Sequence, residues 1–188
     1  MNIILFGPPG AGKGTQSQFI KEKYNLTYFS TGDILREEMA AETEIGLKVK
    51  EIIANGNLVS DEIVVSIIRQ RISNNLNSNG FLFDGFPRTV RQAEMLDEMM
   101  KGFGLKINGV FSLEVPEDIL VNRMIERGKT SGRADDNIDT IKRRFVEYNE
   151  KTKPVLDFYQ KQDILHPMDG VGKVEDIFAN LCNEINKL

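Results

Sequence analysis

The sequence predicts an α/β fold of three layers, a five-stranded parallel sheet between two layers of helices. Three observations lead there. Short apolar runs alternate with amphipathic segments along the whole chain, without internal repeats or low-complexity tracts. Successive runs are separated by enough residues for a helical crossover, which parallel neighbours require. The first run also ends in a glycine-rich turn that opens a polar segment of helical character.

The first strand is Ile3–Phe6, followed by Gly7–Thr15, GPPGAGKGT. This stretch reads as a phosphate cradle. Gly7, Gly10, Gly12 and Gly14 let the backbone turn tightly and approach a polyphosphate, and successive N–H groups point at the anion. Lys13 supplies a point charge for the terminal phosphates. The spacing is that of a P-loop, except that Gly14 follows the lysine and the hydroxyl comes one place later, at Thr15. A plain strand-to-helix turn is the alternative, and the coincidence of strand, loop and lysine weighs against it.

Thr27–Phe29 is the second strand. Residues 31–59 then break the rhythm with two short helical patterns, Ile34–Ala41 and Ile45–Ala54, ahead of Gly56; they read as an inserted helical flap. Thr31, Gly32 and Arg36 stand at its start, where periodicity alone makes Thr31 an N-cap and Arg36 a solvated charge beside Glu37 and Glu38. Ser60–Ile72 is the clearest helix. Ser60 is placed to cap it, Asp61 and Glu62 suit its positive end, and Val64, Ile67, Ile68 and Ile72 share one face.

Phe81–Phe83 reads as a buried strand ending in the carboxylate of Asp84, the arrangement that holds hydrated magnesium opposite a P-loop. In an open parallel sheet ligands bind beyond the carboxyl ends of the strands, and Gly7 and Asp84 both fall on that edge. Gly85-Phe86-Pro87-Arg88 is a stiff turn that aims Arg88 at phosphate, with Gln92 one helical turn further on.

The fourth strand is Gly109–Leu113. After it comes a basic cluster of Arg123, Arg127, Lys129, Arg133, Lys142, Arg143 and Arg144, which outnumber Glu126, Asp135, Asp136 and Asp139. Arg123 and Arg127 share a helix face, and a short loop is expected at Gly128–Gly132, so arginines spaced around it suggest anion clamping. Ile138, Ile141, Phe145 and Tyr148 mark the packing side of the next helix, with Arg144 beside it and able to reach inward. The fifth strand, Ile164–His166, ends in the single histidine, read as a packed or capping residue. Val174, Ile177, Phe178, Leu181 and Ile185 form the stripe of a final helix, and Cys182 beside it reads as a small buried hydrophobe.

Composition bounds these readings. At 188 residues and 40% hydrophobic content, the chain can bury a full core as one domain. A net charge of −4 gives no global field favouring nucleic acid or an anionic membrane. No stretch has the length of a membrane span or the pattern of a signal peptide, so a cytoplasmic protein is expected. One cysteine permits neither an internal disulfide nor a cysteine-cluster metal site.

On these residues the chain resembles the nucleoside monophosphate kinase family, and within it the short-lid adenylate kinases. The matching pieces are GPPGAGKGTQ at Gly7–Gln16, STGDILR at Ser30–Arg36, DGFPRTVRQAEML at Asp84–Leu96 and RGKTSGRADD at Arg127–Asp136. The resemblance spans essentially the whole sequence, and the family's own loop reads GKGT, so Thr15 does not inherit the usual metal-ligand role.

The resemblance implies ATP + AMP ⇌ 2 ADP, with Mg²⁺ and without zinc, by a monomer acting on small-molecule nucleotides rather than on nucleic acid or membranes. It implies a core of residues 1–29, 60–126 and 137–188, a monophosphate-binding subdomain at 30–59 and a short lid at 127–136. ATP would be bound by Gly10, Ala11, Gly12, Lys13, Gly14 and Thr15, with Arg123 stacking on its adenine and with Arg127 and Lys173. AMP would be bound by Thr31, Gly32, Arg36, Asn57, Val59, Gly85, Arg88, Gln92, Arg133 and Arg144, with Gln92 on the adenine edge. Lys13, Arg88, Arg127, Arg133 and Arg144 would surround the transferring phosphoryl group, Asp84 would orient Mg²⁺ through water, and Asp135 and Asp136 would help hold the lid. The attacking phosphate oxygen is already anionic, so no general base is required.

Three rivals differ in what they need. A UMP/CMP kinase has a lid much like RGKTSGRADDN, but Thr31 and Gln92 match the adenine-reading pattern. A P-loop GTPase switch wants N-K-x-D, and the only Asn-Lys pair is Asn186-Lys187. A non-enzymatic nucleotide binder has no use for a second, arginine-lined acceptor site.

Overall fold

The computed structural model describes residues 1–131 and 137–188. Five strands, β1 (Asn2–Phe6), β2 (Thr27–Ser30), β3 (Phe81–Asp84), β4 (Gly109–Glu114) and β5 (Leu165–Asp169), pair in the order β2-β3-β1-β4-β5. Every pairing is parallel, as predicted. The register sets Leu5 opposite Asp84 and Phe6 opposite Ser112, so the carboxyl ends of the three central strands form one edge.

The helices among the described residues are α1 (Lys13–Tyr24), α2 (Thr31–Ala40), α3 (Glu44–Ala54), α4 (Asp61–Ser73), α5 (Val90–Gly102), α6 (Glu117–Ser131), α7 (Ile138–Glu147), α8 (Pro154–Gln160) and α9 (Val174–Ile185). Strand side chains alternate between two cores because their period is two. Ile3 and Leu5 pack with Leu82 and Phe111 against Ile20 of α1, Met124 of α6, Ile141 of α7 and Leu181 of α9. Ile4 and Phe6 pack with Phe83 and Val110 against Ile68 of α4, Leu96 of α5 and Val155 of α8, on the face that also takes the α2–α3 pair through Leu35 and Val49. A sheet covered on both faces needs strands that are apolar throughout, and β1 is buried at every position.

Several local expectations are corrected. Thr31 lies inside α2, and the cap is Ser30, whose hydroxyl accepts from the Asp33 N–H at 3.2 Å. Ser60 occupies the N-cap position of α4, but its side chain makes no capping bond. The loop expected at Gly128–Gly132 is helical as far as Ser131, since α6 continues through Gly128. A mid-helix glycine costs only about 1 kcal/mol, and the Lys129–Glu126 pair and the bond from Thr130 Oγ1 to the Arg127 carbonyl support that last turn. Ile138 is 60% exposed at the start of α7, where the packed stripe begins one turn later with Ile141 and Phe145.

His166 stacks on Phe111, with ring centroids 5.0 Å apart, and Cys182 is buried, both as expected. Between α7 and α8 the chain passes through a π-helical turn, Tyr148–Thr152, without leaving helical backbone. Such turns are frequent at functional sites, and both of its end residues line the cleft described next.

Candidate functional site

The glycine-rich loop leaves β1 and turns into α1 with left-handed backbone at Gly10 and Gly12, φ 84° and 93°. A Cβ on Gly10 would stand 2.9 Å from the Leu120 carbonyl oxygen, so the loop lies directly against α6. At Gly12 a Cβ would meet nothing within 4 Å, which makes this the open side of the cradle. Lys13 folds back over the loop, its Nζ donating to the carbonyls of Gly7 at 2.7 Å and Pro8 at 3.1 Å. Burial lowers its pKa to about 8; Asp84 opposes the shift, whereas Arg88, Arg144 and Arg127 add to it. Segments far apart in sequence thus bring their charges together around one ammonium.

Asp84 ends β3 with its side chain buried, and the Tyr28 hydroxyl donates to its Oδ2 at 2.9 Å. A Cβ on Gly14 would lie 4.0 Å from the same oxygen, so a hydroxyl-bearing residue there would fill the space between α1 and the carboxylate. Thr15, one place on, is exposed. Among the described residues no group of three or more His, Cys, Asp or Glu could hold a metal. A cation here would have one protein carboxylate, with phosphate and water completing its shell, a donor set that suits Mg²⁺.

On the other side of Lys13 a cleft opens between the sheet edge and the α2–α3 pair. Every described residue expected at the acceptor lines it: Thr31, Gly32, Arg36, Asn57 and Val59 from the flap, Gly85, Arg88 and Gln92 from the β3–α5 segment, and Arg144 from α7. Arg36 pairs with Asp33 of its own helix. A Cβ on Gly32 would sit 3.1 Å from Arg36 Nη2, so Gly32 leaves room for that guanidinium. Gly85 does the same for Arg88: at φ 73°, a Cβ there would come within 2.8 Å of Arg88 Nη2.

Ala11, Arg123, Arg127 and Lys173 are not among the residues that line the cleft. Arg123, on α6, donates from Nη2 to the Gly170 carbonyl at 3.2 Å, which ties α6 to the loop that carries Lys173 at the start of α9. Arg127 follows one turn later on α6. Ala11 is buried within the P-loop. Arg133, Asp135 and Asp136 lie outside the described residues.

Sequence reasoning missed Tyr28, Asp61 and Glu147. Tyr28 sits in an apolar strand, where nothing in the pattern marks it as a partner for Asp84. Asp61 was accounted for as a helix-end charge. Glu147, which lines the cleft and pairs with Lys151 at 2.9 Å, is one acidic residue among many on a charged helix.

A P-loop on one side of Lys13 and an arginine-lined cleft on the other are the marks of a P-loop phosphotransferase. A family model described as adenylate kinase matches residues 5–164. Proteins named adenylate kinase from Flavobacterium psychrophilum and Bacteroides thetaiotaomicron are 46% and 45% identical, with all of this chain and all of each relative covered. One from Porphyromonas gingivalis is 41% identical over all of this chain and 96% of its own length. The chain belongs to the adenylate kinase family.

Proposed function

We propose that this chain catalyses reversible transfer of the γ-phosphoryl group of ATP to AMP, giving two ADP, and so serves adenine nucleotide balance as a cytoplasmic monomer. The observation that carries the reading is the position of Lys13 between the P-loop and the cleft lined by Arg36, Arg88 and Arg144. The donor's phosphates lie in the loop amides of Gly10–Thr15 and on Lys13, and its adenine lies by Arg123 and Lys173. AMP lies in the cleft, its phosphate on Arg36 and Arg88 and its base toward Thr31 and Gln92, with Gly32, Asn57, Val59 and Gly85 as walls. Residues 30–59 act as the monophosphate-binding subdomain and residues 127–136 as a short lid.

The attacking oxygen is an AMP phosphate oxygen that is already anionic, so no proton need be removed. What the chain supplies is alignment and charge. Lys13, Arg88, Arg127, Arg133 and Arg144 surround the moving phosphoryl group with fixed positive charge, whose effect grows as closure excludes water. Mg²⁺, bound to the donor phosphates, would neutralise developing charge there, and Asp84, held by Tyr28, would orient its water shell.

A coupled assay offering AMP, CMP, UMP and GMP in turn with Mg-ATP tests both the reaction and the acceptor. Turnover is expected with AMP far above the others. Faster transfer to CMP or UMP would replace this reading with that of a pyrimidine monophosphate kinase.

A further inference from the structure

Gln92 is only 2% exposed, and each half of its amide is already held by one bond. Oε1 accepts from the Arg88 N–H at 2.7 Å, and Nε2 donates to Asp61 Oδ1 at 2.8 Å. The same Asp61 oxygen accepts from Thr89 Oγ1 at 3.1 Å, and that hydroxyl accepts from the Gln92 N–H at 3.0 Å. The ring of bonds has one consistent direction. A backbone N–H only donates and a carboxylate oxygen accepts, so turning the amide over would set two donors face to face at Arg88 and two acceptors face to face at Asp61.

A primary amide has two N–H groups and two oxygen lone pairs. After these bonds one N–H and one lone pair remain, at the wall of the cleft. Side by side they complement a base edge with an exocyclic amino donor next to a ring-nitrogen acceptor. Adenine presents that order through its 6-amino group and N1. A 6-oxopurine presents the reverse, an oxygen acceptor beside an N1–H donor.

We propose that Asp61 is a positioning residue for acceptor choice: it locks the Gln92 amide in the orientation that takes a 6-aminopurine monophosphate and refuses a 6-oxopurine one. Asp61 stands in the first turn of α4 and does not line the cleft, so it acts through Gln92 and not on the nucleotide. Its bond is charge-assisted and so the stronger of the two holding the amide. Without it, turning the amide over sacrifices only the Arg88 N–H bond. The inference rests on the reading of Gln92 as the base contact of the acceptor site.

The test compares kcat/KM for AMP and for IMP, with Mg-ATP as donor, in the unsubstituted chain and in Asp61→Ala, Asp61→Asn and Gln92→Ala. IMP differs from AMP only at the edge in question. Asp61→Ala is expected to lower the AMP-to-IMP ratio about tenfold or more, through KM, with kcat for AMP within about threefold. Asp61→Asn keeps a carbonyl oxygen for both bonds and is expected to hold the ratio within about threefold. A purely structural role would lower the melting temperature and slow both acceptors alike, leaving the ratio where it was. Should melts show Asp61→Ala unfolded, Asp61→Ser, whose hydroxyl is too short to reach Gln92, takes its place with the same expectation. An unchanged ratio in the folded Asp61 variant beside a collapsed ratio in Gln92→Ala overturns the lock alone. An unchanged ratio in Gln92→Ala overturns the lock and the base-contact reading together.

Discussion

Thr31 and Arg88 donate to one and the same carbonyl oxygen, that of Gly85, Thr31 Oγ1 and Arg88 Nε each at 2.7 Å. The bonds join the first residue of the helical flap to the turn after β3, so the two walls of the cleft are set against each other at the place where Arg88 enters it. They also explain why position 85 is glycine. Its φ of 73° disfavours other residues, and a Cβ would press on both side chains, 2.8 Å from Nη2 of the Arg88 guanidinium and 3.1 Å from Thr31 Oγ1.

Gly85→Ala separates stability from binding. The left-handed backbone costs a non-glycine residue roughly 1–2 kcal/mol, and the guanidinium end can swing away, so urea unfolding should show a loss of about that size. The swing takes Arg88 out of place. KM for AMP should therefore rise about tenfold or more, while KM for ATP stays within about twofold. An unaltered KM for AMP in the folded variant would contradict the placing of Arg88 by Gly85.

Arg88 itself allows a test of fork against charge. Arg88→Ala should reduce kcat/KM for AMP by on the order of a hundredfold or more, if the guanidinium stabilises the transferring group. Arg88→Lys keeps the charge but loses the two parallel donors and the Nε bond to Gly85, so it should recover only a minor part of that loss. Full recovery by lysine, in steady-state kinetics on protein with unchanged circular dichroism, would reduce the role of Arg88 to that of a point charge.

What was legible in the sequence follows from the range of the interactions concerned. β1, β3 and β4 stood out because a sheet buried on both faces makes its inner strands apolar runs, whereas the edge strand β5, less buried, runs over Leu165–Asp169 rather than the expected Ile164–His166; the P-loop stood out because phosphate binding needs glycines at fixed local offsets. Arg88 and Gln92 were readable because the turn from Gly85 and the helix after it set their direction locally. Tyr28 with Asp84, and Asp61 with Gln92, are pairs 56 and 31 residues apart, and no periodicity encodes their meeting. Gly128 was misread as a loop for a related reason. Its neighbours Glu126, Lys129 and Thr130 keep it helical through bonds that glycine propensity alone does not reveal.

Lys13 makes a prediction in pH. Burial brings its pKa from the ordinary 10.5 down to about 8, with the charges of Arg88, Arg144 and Arg127 adding to the shift and Asp84 resisting it. Between those two pH values the unfolded chain holds a proton that the folded chain has lost, so this group's contribution to stability rises with pH from about 8 to 10.5. Below pH 8 the buried ammonium is a steady penalty. Without nucleotide, Lys13→Met should be inactive yet more stable than the unsubstituted chain at pH 7, and the advantage should shrink as the pH is raised toward 10. Parallel unfolding curves at every pH would mean that Lys13 has no such shift.

Two adjacent nucleotide places make a prediction about linked ligands. On the proposed assignment of the P-loop to ATP and the cleft to AMP, two adenosines joined through a phosphate chain would occupy both at once, whereas ATP alone would occupy one. A ligand that binds only the folded state stabilises it by about 4 kcal/mol at a thousand times its Kd. For a chain of this size that corresponds to a rise in Tm of very roughly 8–16 °C. At equal concentration, the linked compound should shift Tm well beyond ATP. The excess should come from the acceptor side, so Arg88→Ala should bring the shift down toward the ATP value, while the ATP shift itself changes little. If the linked compound and ATP give equal shifts in the unsubstituted chain, the cleft beyond Lys13 does not hold a second nucleotide.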